Sequence, residues 1–159
     1  MTSEIVISDM PANSTFARTA AQWAFDEWGW LYPDDSVQWY VDLYSEAENN
    51  PLELPVCLAA LTSDGDIAGT ASVIVDDELP DAVEPGPWLA VVFVNEKYRG
   101  VAVGKQLVNE AVRRAREIGH GDIYLYTENV SHWYKTLGWE TVRETHIRQQ
   151  PVTVMVNRG

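Results

Sequence analysis

Basic residues are nearly missing from the first 96 positions. Arg18 stands there against 18 acids, a balance of −17. Residues 97–159 carry 10 basic and 6 acidic residues, a balance of +4, within an overall net charge of −13. Such a chain lacks the broad basic face that a nucleic-acid binder needs. Its one acidic and one basic zone suit a cationic and an anionic ligand; the acids also serve solubility. Cysteine is almost absent too: Cys57 is the single one, so no internal disulfide exists. It sits in LPVCLAAL, the setting of a buried small hydrophobe rather than a nucleophile. The three histidines, His120, His132 and His146, show no metal-ligand spacing, and no metal is expected. No apolar run is long enough to span a membrane. The stretch MTSEIVISDMP lacks the basic and apolar regions of a secretory leader, so the expected location is cytoplasmic.

What is present is the composition of a folded protein. Hydrophobic residues make up 46% and charged ones 22%, which are globular values. No low-complexity segment or linker divides the chain, so residues 1–159 are expected to form a single domain.

Periodicity gives the elements. EIVISD (4–9) alternates as a strand, and Asn13-Ser14 introduces a helix from Thr15 to Trp28. GWLYPDDS is a turn, followed by the helix SVQWYVDLYSEA. VCLAALTS and IAGTASVIVDD read as two strands joined at Asp64-Gly65. An acid- and proline-rich loop, DDELPDAVEPGP, leads into the strand PWLAVVFV (87–94). Then come a glycine-containing loop and a helix with Val103, Leu107, Val108, Ala111, Ala115 and Ile118 on one face. DIYLYT, a short helix in NVSHWYKTLGW, and the strands ETVRETHI and PVTVMVN complete the chain. The order β-α-α-β-β-β-α-β-α-β-β predicts an α+β fold with a mixed sheet.

The stretch NEKYRGVAVGKQLV carries the chemistry. It lacks the spacing and the hydroxyl of a Walker A loop, and also the G-x-G-x-x-G of a dinucleotide fingerprint. Strand, small-residue loop and helix remain. The free N–H groups and dipole of the first helical turn favour an anion such as phosphate. Gly100, Ala102 and Gly104 allow close approach, and Arg99 and Lys105 add charge.

With these residues in place, the chain resembles the GCN5-related N-acetyltransferase (GNAT) superfamily. That family's loop, [QR]-x-x-G-x-[GA], corresponds to Arg99-Gly100-Val101-Ala102-Val103-Gly104, with Ala102 where the family has its first glycine. A later family segment, F-Y-x-x-x-G-[FW], corresponds to Trp133-Tyr134-Lys135-Thr136-Leu137-Gly138-Trp139. The likeness runs over roughly residues 4–157. It implies a mostly antiparallel central sheet with helices on both faces, and acetyl-CoA as co-substrate. The pyrophosphate would sit on backbone N–H groups of residues 100–105. The pantetheine arm would pair with Val92, Phe93 and Val94, the next strand would splay away, and Asn129 would contact the coenzyme.

The resemblance further implies acetyl transfer to a primary amine of a small molecule or peptide, without a covalent enzyme intermediate. An ammonium near pKa ~10.4 must first lose a proton. Tyr134 corresponds to the family's general acid. The strand Trp88–Val94 has no acid to act as base, so the candidates are Asp76, Asp77, Glu78, Asp81 and Glu84 in the preceding loop, or His132. Glu84 is the chosen candidate. Aromatic residues of the front helices stand among acids, a setting for a cationic amine. Most are expected in the core, with Trp28, Trp30 and Tyr32 at the acceptor entrance. A homodimer is compatible with the fold. The rival readings are a non-catalytic acyl-CoA-binding or regulatory module, and a protein using the loop for another nucleotide.

Overall fold

The computed structural model describes residues 4–32, 34–100 and 102–159. Val101, one of the expected loop contacts, lies outside the described residues. The elements follow the expected order: β1 (Ile5–Asp9), α1 (Thr15–Trp28), α2 (Val37–Asn49), β2 (Val56–Thr62), β3 (Ile67–Ile74), β4 (Trp88–Val94), α3 (Val103–Glu117), β5 (Ile123–Thr127), α4 (Ser131–Thr136), β6 (Glu140–Ile147) and β7 (Gln150–Asn157). A single 3₁₀ turn, Glu96–Tyr98, separates β4 from α3.

Ser14 and Ser36 set the helix starts. Their hydroxyls accept from the N–H groups of Ala17 and Trp39, each at 3.1 Å, which satisfies donors that the helices leave free. The seven strands lie in the order β1-β2-β3-β4-β5-β7-β6. All neighbours are antiparallel except β4 and β5, which α3 links as a parallel crossover.

Strand alternation feeds two cores. Val56, Leu58 and Ala60 of β2 pack on the α3 side, with Leu107, Val108 and Ala111. Cys57 and Ala59 face the other way, into α1 and α2 with Ala21, Tyr40 and Tyr44. Burial on both faces explains the unbroken apolar run of this strand. Cys57 is 2% exposed, and burial pushes its thiol up to about 12, so it is a packing residue.

Candidate active site

The site begins as a defect in β4. Thr70 pairs with Phe93 and Ser72 with Ala90, so Val91 and Val92 together stand opposite Ala71. Val91 takes φ 55°, a conformation costly for a β-branched residue. The buried hydroxyl of Thr70 donates to the Val91 carbonyl at 2.9 Å and holds the bulge. Beyond it the strands part: β4 and β5 are paired in register at Trp88–Tyr124. Val92, Phe93 and Val94 are half-buried and border the opening.

The anion loop is fixed to the β2–β3 hairpin. The Asn95 amide donates to the Ile67 carbonyl at 3.1 Å, and the Tyr98 hydroxyl to Asp66 at 3.0 Å. Gly100 adopts φ 91° and Ala102 φ 64°. Ala102 is the N-cap of α3 and offers no side-chain cap. The first-turn N–H groups at Val103, Gly104 and Lys105 therefore precede the first i→i−4 bond, which Gln106 makes to Ala102 at 3.1 Å. Arg99, Gly100 and Lys105 are exposed around this end, while Val103 and Gly104 are buried. Gly104 has a packing role: a Cβ there would stand 3.2 Å from the Trp133 ring.

Between β4 and β5 opens a cleft of about 240 Å³. Its floor is the β4 segment 89–94 together with Leu125–Thr127 of β5. Arg99, Asn129 and Tyr134 line it, as do Trp28, Trp39 and Tyr40 from the front helices and Tyr32 from the turn between them. Five carboxylates share the wall: Glu27, Asp35, Asp77, Glu78 and Glu128. Arg99 is the one basic side chain among the described lining residues.

Tyr134 is 6% exposed, and its hydroxyl has no hydrogen-bond partner among the described residues although it borders the cleft. Burial, and then the charge of Glu128, raise its pKa well above the phenol range, so it holds its proton at neutral pH. Also in the lining, Tyr126 donates to the Asp77 carbonyl at 2.6 Å, and its oxygen meets the Tyr32 hydroxyl. Tyr40 donates to Asp35 at 2.8 Å. Asp77 is pushed well above the carboxylate range by burial, and then by Glu78, Asp76, Asp35 and Glu128. Glu78, Asp35 and Glu128 are raised as well, each chiefly by burial.

Several expected residues stand elsewhere. Glu84, the chosen base, does not line the cleft. Arg143 of β6 captures it with bonds of 2.9 and 3.0 Å, and these hold its carboxyl below the usual range. Asp81 bonds to Thr145 and Arg143. Asp76 accepts from the Glu78 N–H at 2.9 Å, so within the 76–84 loop the cleft receives Asp77 and Glu78. His132 is exposed outside the cleft. Trp30 follows the end of α1, turns outward at 62% exposure and donates to the Glu27 carbonyl; it is not a lining residue. Trp28 and Tyr32 do line the cleft, and the Trp28 ring meets Phe93 edge-on at 6.4 Å.

Glu128 and Tyr126 escaped the sequence reading. Their signal was weak but real, because both stand at the end of a strand beside a parallel neighbour. Nothing in the sequence marked the bulge at Val91. The described residues hold no cluster of three or more metal-ligating side chains, and no helix among them is long and apolar enough to cross a membrane. The uncapped α3 terminus, the opened β4 edge and the Tyr134 hydroxyl, free of partners among the described residues, fit a ligand with an anionic end, an extended amide-bearing arm and a reactive group near Tyr134.

Comparison with known proteins agrees. The model of the acetyltransferase (GNAT) family matches residues 17–139. Among solved structures, yncA from Salmonella typhimurium with its cofactor acetyl-CoA superposes with TM-score 0.73 at 15% identity, covering 98% of this chain and 94% of that one. An aminoglycoside 6'-N-acetyltransferase complexed with coenzyme A gives 0.69 at 18% identity, covering 96% of each chain. A chimera of the spermidine N-acetyltransferase SpeG from Vibrio cholerae and hSSAT gives 0.65 at 13% identity, covering 98% and 96%. No curated protein matches by sequence.

Proposed function

The chain belongs to the GNAT acetyltransferase family, and we propose that it transfers the acetyl group of acetyl-CoA directly to a primary amine that is cationic at neutral pH, on a small molecule or a peptide. The observation that carries this reading is the cleft itself, where five carboxylates and an aromatic wall face the opened edge of β4. Such a surface attracts an ammonium group through both charge and ring faces. Two structural relatives are named for aminoglycoside and spermidine acetylation, and both are polycationic acceptors.

The coenzyme supplies an activated thioester when bound. The residues that would hold it are the backbone of Val92–Val94, the N–H groups of Gly100, Ala102 and the first turn at Val103–Lys105 with Arg99 and Lys105 beside them, and Asn129. A backbone N–H freed at the bulge can donate to the developing oxyanion. Tyr134 keeps a proton that it can give to a departing thiolate, whose acid lies near ~8.5. Asp77, Glu78 and Asp35 form the cation-binding wall, which Trp28 and Tyr32 shape.

A thermal-shift comparison of acetyl-CoA, coenzyme A, ATP and NAD tests the coenzyme. At 100 times its dissociation constant a ligand adds about 2.7 kcal/mol. A response confined to the two coenzyme A ligands is expected, and a larger one to ATP or NAD overturns the reading. Thiol release on adding primary amines separates an enzyme from a non-catalytic binding module.

A further inference from the structure

We propose that Glu128 is the catalytic residue that takes the proton from the acceptor ammonium. The proposal rests on the reading of the cleft as an amine acetylation site.

The attacking nitrogen and the departing sulfur are bonded to the same carbon in the transition state. Proton acceptor and proton donor must therefore face one small volume. The Tyr134 hydroxyl, nearly buried, without a partner among the described residues and bordering the cleft, marks where that volume lies. Glu128 is the carboxylate whose charge bears on it, from the end of β5 just before α4. Asp77 stands at the tyrosine pair, where Tyr126 donates to its backbone carbonyl and its charged neighbours are Glu78, Asp76, Asp35 and Glu128.

Several other acids are already engaged or absent from the strand. Glu84 and Asp81 belong to Arg143, Asp35 accepts from Tyr40, and β4 carries no acid. Glu128 has no ion pair among the described residues. The titratable groups that face it are Glu27 from α1, Tyr32 from the α1–α2 turn, Asp77 from the β3–β4 loop, Tyr126 of its own strand and Tyr134 from α4. Arg99 is the cation that shares the cleft. Partial burial raises the carboxyl, a bond from its own backbone N–H lowers it, and the charge of Glu27 raises it further.

The step balances. An N–H bond of the ammonium breaks, and its proton goes to the Glu128 carboxylate. The freed lone pair forms the C–N bond. The C–S bond breaks, and the sulfur takes the Tyr134 proton. Tyr134 recovers a proton from the nitrogen through water. The proton on Glu128 then leaves to solvent, so one proton is released per acetyl group transferred.

The test compares wild type, Glu128→Gln and Asp77→Asn with acetyl-CoA, using spermidine and a panel of primary monoamines. Glu128→Gln should keep the thermal response to coenzyme A. It should lose about 10²–10³ in kcat/KM at pH 7, the range of general-base catalysis. Its rate should rise about tenfold per pH unit toward pH 9, following the free-amine fraction, where wild type levels off. Asp77→Asn should raise KM and keep the wild-type profile. In the coenzyme A-loaded protein, the Glu128 side-chain ¹³C resonance, assigned by its loss in Glu128→Gln, should titrate above the ordinary glutamate range and shift when spermidine is added.

A Glu128→Gln variant with the wild-type profile, a pH limb lost in Asp77→Asn instead, or a carboxyl signal indifferent to spermidine would each overturn the assignment. A protein that binds coenzyme A but acetylates no amine of the panel overturns it too. The absence of any thermal response to acetyl-CoA sinks the underlying reading instead.

Discussion

Gly104 lies beneath the indole of Trp133: a Cβ placed on it would approach the ring to 3.2–3.3 Å and Val94 Cγ2 to 3.3 Å. The helix that offers its N-terminus and the helix that carries Tyr134 are thus seated on each other through a residue without a side chain. Gly104→Val must displace Trp133, and with it the segment holding Tyr134. Overpacking of this kind costs about 1–3 kcal/mol. Denaturant unfolding should show a lower midpoint at unchanged slope, together with weaker coenzyme response.

Ala102 holds a left-handed conformation that glycine adopts freely. Its φ of 64° explains why the family motif favours glycine there. The strain is about 1–2 kcal/mol, partly offset because glycine has more freedom in the unfolded chain. Ala102→Gly should therefore raise stability by about 0.5–1 kcal/mol. Denaturant unfolding checks this, and coenzyme binding should be kept.

Tyr134→Phe removes a hydroxyl that has no partner among the described residues, so no internal hydrogen bond is lost. Melting temperature and coenzyme affinity should stay near wild type. Turnover should fall by about 10²-fold, the lower range for a proton donor. Equal losses of affinity and turnover would make Tyr134 a positioning residue instead.

Burial and four neighbouring carboxylates oppose the ionisation of Asp77. Its folded-state pKa is raised, so its contribution to stability is complete below the unfolded value near ~3.9 and is lost as pH rises through the folded value. Asp77→Asn stays neutral throughout. The variant should melt higher than wild type at pH 7, and the two should converge toward pH 4. Added spermidine should narrow the gap at pH 7 by stabilising wild type.

Arg143 gives the opposite sign. Thr145 and Arg143 lower Asp81, and Arg143 lowers Glu84. These acids stabilise the fold above their unfolded values, and the gain is lost as pH falls through the depressed ones. Arg143→Gln strands Glu84, whose side chain is 7% exposed. Its melting temperature should fall by roughly a few degrees at pH 7. The difference from wild type should shrink below about pH 4.

The fold was legible because periodicity and turn chemistry agreed along the chain. Asp64-Gly65, Ser14 and Ser36 each marked a boundary that the structure keeps. Loop and helix were readable because Gly100, Ala102 and Gly104 are local signals. The acidic wall was only half readable. Asp77 and Glu78 stood in a flagged loop, but what separates them from Glu84 is an arginine 59 positions away in sequence. Glu128 acquires its place only when α4 brings Tyr134 beside β5. Trp30 resembled its neighbours in type and differed from them only in where α1 happens to end.

The Val91 bulge has a mechanical meaning. Beyond it, β1–β4 and β5–β7 form two plates paired in register at Trp88–Tyr124, with α3 packed on the β1–β4 plate and its Arg116 reaching Asn157 of β7. Any extended ligand seated where they part becomes a spoke between the plates. Occupancy would then be felt as rigidity throughout the molecule, at strands that never touch the ligand.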